Sequence, residues 1–155
     1  MRGPIVRTQA ACYHRRIADL ASKSAALRSA LAIVDAALRL PLLRCDFRTG
    51  SLQAARAAAA ALVASAQHPN AADEHALAEL VVQADASLDR ITAQRNAFEA
   101  QVVEKLRAAI AAHEEAELRE LLQLSSSAKP PFTPPEKTGA EDALRRTLCY
   151  EGAVL

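Results

Sequence analysis

Tryptophan is absent from this chain of 155 residues, and the aromatic complement is two tyrosines and three phenylalanines. So few aromatics give thin support for a surface that stacks nucleic-acid bases. Glycine occurs only four times, too rarely for a phosphate-cradling loop, and no G-x-S-x-G, Walker or G-x-G-x-x-G pattern is present. Cysteine is scarce, odd in number and widely spaced, at Cys12, Cys45 and Cys149. No C-x-x-C pair or disulfide framework can be drawn from it, which points to a reducing or disulfide-independent setting. Uninterrupted apolar runs of membrane-spanning length are missing. A formal net charge of +1 lacks the strong basic excess of a general polyanion binder.

What is present is helix-forming. Hydrophobic residues make up 51% of the chain, and alanine supplies much of that share, which predicts an all-α protein. From about Gln9 to Leu40, large apolar residues fall at Ile17, Leu20, Leu27, Leu31, Val34 and Leu38. With Ser24 in the gap, these form one stripe in steps of three and four before Pro41 stops the helix. A connector, "LLRCDFRTG" (42–50), carries Phe47. A second helix is predicted over 51–67. Its stretch "ARAAAAALVASA" (55–66) offers mainly methyl groups, with Leu52, Leu62 and Val63 as anchors, so it reads as a smooth element that lets neighbouring backbones come close.

After "HPN" (68–70), where Asn70 can cap, Leu77, Val81, Ala84, Leu88, Ile91, Phe98 and Val102 continue the same spacing, interrupted by Arg95. The pattern runs on through Leu106, Ile110, Leu118, Leu121 and Leu122. A third helix over 71–124 would be about 80 Å long, so its second half must bend, break or lie on another protein. Leu31, Val34, Leu80, Leu88 and Ile91 are the expected core. The architecture expected is an antiparallel three-helix bundle over 1–124, followed by an extended proline-rich tail over 125–155 with a helical turn or two near its end. The tail's "SSSAKPPFTPPEKTG" carries four prolines and favours a polyproline-like strap, on which Phe132, Leu144, Leu148, Tyr150 and Val154 are spaced to touch a neighbour.

The residues that could carry chemistry do not assemble into a reactive set. His75 and Glu79 can share a helix face, and His68 lies in a turn, but no H-E-x-x-H or Glu-x-x-His pair supports a metal. "HEEAE" (113–117) is a mixed-charge helical face, and Ser125–Ser127 lie in a linker. No catalytic, cofactor or metal residue is assigned, no small-molecule substrate is expected, and the chain reads as a non-enzyme. Arg15, Arg16, Arg39, Arg44 and Arg48 could form a basic edge for nucleic acid. With Phe47 the lone aromatic beside the last three, they read instead as arginines that solvate helices and pair with carboxylates.

Two readings of the N-terminus remain open. Arg2, Arg7, Arg15 and Arg16 precede the first acidic residue, Asp19, and alternate with Ile5, Val6 and Tyr13. This is the pattern of a mitochondrial import signal and equally that of an ordinary basic helix start.

"LAELVVQADASLDRI" (77–91) resembles the third-helix signature of the accessory subunit of mitochondrial complex I called alpha-subcomplex subunit 5. Glu79, Leu80, Val81, Gln83, Ala84, Asp85, Leu88 and Ile91 occupy its places. Pro41 followed by Phe47-Arg48 is similar to that family's proline followed by Tyr-Arg. The likeness spans roughly residues 27–98. Phenylalanine replaces the tyrosine, the second inter-helix turn is shorter, and the family's C-terminal tryptophans are missing, with Phe98 as a stand-in. The resemblance implies a non-catalytic subunit that binds other protein subunits on the matrix-side peripheral arm of the respiratory complex. Phe47, Arg48, Phe98, Phe132, Leu144, Leu148 and Tyr150 are the candidate partner-binding residues. The alternative is a free cytosolic helical-bundle or coiled-coil adaptor.

Overall fold

A computed structural model describes the backbone of residues 3–44, 46–66 and 71–154 and the side chains of 11–43, 46–66 and 71–146. Its elements are α1 (Gly3–Leu38), a 3-10 turn (Leu42–Arg44), α2 (Gly50–Ala64), α3 (Ala72–Ala112), α4 (Glu115–Ser127) and α5 (Lys137–Val154). Among the described residues the fold is all-α, with five helices where the spacing predicts three. Asp46 and Lys129 meet in an isolated parallel bridge. None of the described helices is long and apolar enough to cross a membrane.

Helix ends follow local chemistry. The residue before a proline is pushed out of the helical region, so α1 stops at Leu38, short of Leu40 and Pro41, and the Leu40 amide closes a turn on the Ala37 carbonyl at 3.1 Å. The predicted third helix breaks at His113. His113 has φ 56°; its amide donates to Ile110 O at 3.3 Å and the Glu114 amide to Ala109 O at 3.1 Å. That pair of bonds around a left-handed residue is a Schellman C-cap, with histidine where glycine is usual. α4 begins immediately afterwards.

The serine run does not end helicity where expected. Ser125, Ser126 and Ser127 lie in the last turn of α4, and each hydroxyl donates to the carbonyl three residues back. Ala128 is the first extended residue (ψ 152°). The extended tail is corrected further on: past Pro135 nothing breaks a helix, and α5 runs for 18 residues rather than a turn or two. Val154 belongs to that helix, not to an extended strap.

The chain divides into two compact units, Met1–Ala36 with Thr49–Arg90, and Ala37–Arg48 with Ile91–Leu155. In the first, Leu20, Leu27, Leu31 and Val34 of α1 are buried, as are Leu52 and Ala59 of α2 and Leu77, Leu80 and Ala84 of α3. Leu62 and Val63 are half-buried, so the alanine helix is held mainly by Leu52 and by Ala59, whose small side chain lets it sit fully inside. Leu88, expected in the core, is also half-buried. A stripe through Ala84 can reach Ile91 by either Ser87 or Leu88 in steps of three and four, and α3 is phased so that Ser87 is buried and bonds Asp35 Oδ1 at 3.2 Å.

One arginine ties the first unit's helices. Arg16 is buried, and its guanidinium donates to Glu74 Oε1 and Oε2 at 2.9 Å each, to Leu62 O at 2.7 Å and to Ser65 Oγ at 3.2 Å. It thus caps a carbonyl in the last turn of α2, which the Ser65 hydroxyl also bonds at 3.1 Å, while pairing with a carboxylate in the first turn of α3, the favourable sign at each helix end. The Glu74 hydrogen bonds raise the Arg16 pKa against the opposing effect of burial. Arg16 thus pairs with a carboxylate, the reading preferred over a nucleic-acid edge, but does so buried within this chain rather than while solvating a helix. Arg15 and Arg39 are exposed, and the Arg44 side chain lies outside those described.

In the second unit, Phe98, Val102, Leu106 and Ala109 of α3 and Leu118 and Leu121 of α4 are buried, and α4 packs on α5. A side chain at Gly139 would meet Ile110 Cδ1 at an ordinary 3.6 Å, and Ala140 is fully buried.

Candidate functional site

The connector, the middle of α3 and the proline-rich segment converge in the second unit. The chain's three phenylalanines, far apart in sequence, are gathered there around one guanidinium. The Phe47 and Phe98 centroids lie 5.1 Å apart, and those of Phe98 and Phe132 6.3 Å in an edge-to-face pose. The Arg95 Cζ stands 5.2, 5.6 and 5.8 Å from the Phe47, Phe98 and Phe132 ring centres, within the range of cation–π attraction. Its N–H groups donate to Pro130 O at 2.6 Å, Pro131 O at 3.4 Å and Glu99 Oε1 at 3.0 Å. Proline-rich backbone cannot donate from its own nitrogens, so an arginine that supplies donors to its carbonyls is a natural anchor. Two amides complete the seam, Phe47 to Lys129 O at 2.7 Å and Phe132 to Ser125 O at 2.8 Å.

Beside this cluster lies a half-open groove of about 440 Å³, lined by Leu40, Leu43, Phe98 and Leu124 with Asp46, Ser127, Ala128 and Lys129. Its polar groups differ in how they are engaged. Arg48 donates to both Asp46 oxygens, from Nη2 to Oδ2 at 2.6 Å and from Nε to Oδ1 and Oδ2 at 3.1 and 3.0 Å, and its amide reaches Oδ1 at 3.0 Å. These bonds hold the Asp46 carboxyl below the usual carboxylate range against the opposing effect of burial, with Lys129 adding a smaller pull in the same direction. The Ser127 hydroxyl donates to Leu124 O at 3.3 Å.

Of the sequence-predicted contact residues, Phe47, Arg48, Phe98 and Phe132 are thus brought together. Phe98 is 1% and Phe47 5% exposed, so these two face each other beneath the surface, and Phe132 is half-buried. Arg48 is exposed. Leu144 is half-buried on α5, and the side chains of Leu148 and Tyr150 lie outside those described. Arg95 was legible only as a gap in the apolar stripe; its signal was a charge standing in core phase between Ile91 and Phe98. His75 and Glu79 do not form a site, and among the described residues no three His, Cys, Asp or Glu side chains group as metal ligands. No protein-family model, curated protein or solved structure matches the chain.

Proposed function

We propose that the chain is a non-catalytic accessory subunit, a helical scaffold that binds protein partners inside a larger assembly. One observation carries this: an apolar groove stays open beside a cluster whose charged groups are already engaged with one another. Arg95 is committed to Glu99 and two proline carbonyls, and Asp46 to Arg48. Such an arrangement is suited to receive a side chain, and Leu40, 47% exposed on the groove, is the kind of residue that association covers.

The resemblance of residues 77–91 and of Pro41 with Phe47-Arg48 to the complex I alpha-subcomplex subunit 5 family supports the matrix-side peripheral arm of mitochondrial complex I as the assembly. In that proposal α1, α2 and α3 correspond to the family's three-helix bundle, while the proline-rich segment, α4 and α5 are an extension particular to this chain. The test is a native gel of mitochondrial membranes from cells carrying a tagged full chain. Comigration with the band that oxidises NADH is expected. A chain confined to the cytosol and running at its own mass would favour the free adaptor instead.

A further inference from the structure

Resting on the protein-binding role proposed above, we infer that the groove beside Phe98 takes an acidic, apolar segment of a partner protein: one large apolar side chain seated among Leu40, Leu43 and Leu124, with a neighbouring carboxylate on Lys129. Volume is the first support. About 440 Å³ lies within the roughly 300–1,000 Å³ typical of binding pockets, and four of its eight lining residues, Leu40, Leu43, Phe98 and Leu124, are large and apolar.

Charge selects the occupant. The groove carries one carboxylate and one ammonium, but the carboxylate is taken up by the bidentate Arg48, and Arg48, Asp46 and Lys129 together leave one positive charge. Lys129 stands on the rim, and its side chain makes no ion pair among the described residues. A basic segment would meet repulsion here, and a purely apolar one would leave Lys129 unmatched, whereas an acidic apolar segment satisfies both surfaces. Openness argues for a protein segment over a free acyl carboxylate. A long chain lying in a half-open groove stays partly wet, while a single anchoring side chain is covered by the body of the protein that carries it.

The experiment is selection of random twelve-residue peptides displayed on phage against the folded full chain. Selected peptides should share a Leu, Ile, Met or Phe with an Asp or Glu within about one helical turn. A synthetic peptide of that consensus should bind about tenfold more weakly to Lys129→Glu and to Leu40→Asp. Circular dichroism checks that both variants keep the fold. Exchanging the peptide's acid for lysine should restore binding to Lys129→Glu, and amide shifts on binding should centre on residues 40–46 and 127–129. Failure to enrich any consensus, a consensus without acids, indifference to both variants, or saturable binding of dodecanoate in place of peptide would each overturn the assignment. The native gel is independent of this result. Comigration without acidic selection would sink the groove assignment alone, and selection without comigration would sink the assembly alone.

Discussion

Arg16 and Glu74, separated by 58 positions in sequence, form a two-point ion pair that is almost wholly removed from solvent, with both contacts at 2.9 Å. Two ions withdrawn from water are costly to desolvate, and this pair is sustained because the guanidinium also reaches Leu62 O and Ser65 Oγ. Removing Glu74 leaves the guanidinium buried without its carboxylate, and removing Arg16 takes from Glu74 two charge-assisted hydrogen bonds. Glu74→Ala or Arg16→Ala is expected to cost about 3–5 kcal/mol, and the double change to leucines well under the sum, because no stranded charge remains. Urea denaturation of the four proteins, followed by circular dichroism, gives the comparison. Single variants within experimental error of the parent would show that the pair is solvated.

Arg95 makes a separable prediction in the second unit. Arg95→Leu keeps an apolar body against the three rings but drops the bonds to Pro130 O, Pro131 O and Glu99. Arg95→Lys keeps the charge and loses the planar fork that spans several acceptors. Each should loosen the proline-rich segment by about 1–3 kcal/mol, from lost charge-assisted hydrogen bonds and cation–π attraction. Hydrogen exchange of the Phe47 and Phe132 amides reports it directly, since both bond across the seam. Unchanged protection would mean that the rings alone hold the segment.

Both arginines explain what is legible in the sequence and what is not. The helices are legible because steps of three and four among leucines and valines are a property of one helix at a time. Buried charge depends on two helices at once. Arg16 falls four positions before Leu20, and Glu74 three before Leu77, so each stands in core phase at an end of its stripe. Neither looks unusual until the other is beside it. Leu88 and Ser87 are equally compatible with the spacing, and only the phase of α3 chooses between them. A break near His113 is legible only as one of three outcomes, since a helix to residue 124 must bend, break or lie on another protein, and its position is not legible at all: no glycine or proline marks it. The tail reads as extended because four prolines dominate its first half. Beyond Pro135 the chain is free of proline, and α5 forms there on a sparse set of apolar residues whose spacing alone is a weak signal.

Acid should weaken the groove's rim through Asp46. Its folded pKa is held below its unfolded value by Arg48, so the stabilisation is complete above the ordinary carboxylate range of about 4 and is lost as pH falls through the depressed folded value. The pair is partly exposed, and the effect is correspondingly modest. The parent is expected to exceed Asp46→Asn in urea midpoint at pH 7, with the gap closing as the carboxyl is protonated in acid. Asparagine keeps the Oδ1 acceptor for Arg48 N, so a gap independent of pH would show that the carboxylate's charge is not what stabilises the pair.

His113 permits a gain in stability. A side chain at φ 56° places Cβ close to the following carbonyl, a cost of roughly 1–2 kcal/mol that glycine does not bear. The residue is exposed, so little packing is lost with the imidazole. Glycine also gives the unfolded chain more freedom, which offsets part of the benefit. His113→Gly should therefore raise stability by about 0.5–1 kcal/mol. His113→Val, stiff at Cβ and poor in the left-handed region, should lower it by more than glycine raises it. The two variants separate backbone strain from any other role of the histidine. Urea midpoints in that order are expected, with the Glu114 amide still protected by its bond to Ala109 O in the glycine variant. If His113→Gly is instead less stable than the parent, the imidazole itself contributes to the turn between α3 and α4, and the strain attributed to the cap is not what limits this corner of the fold.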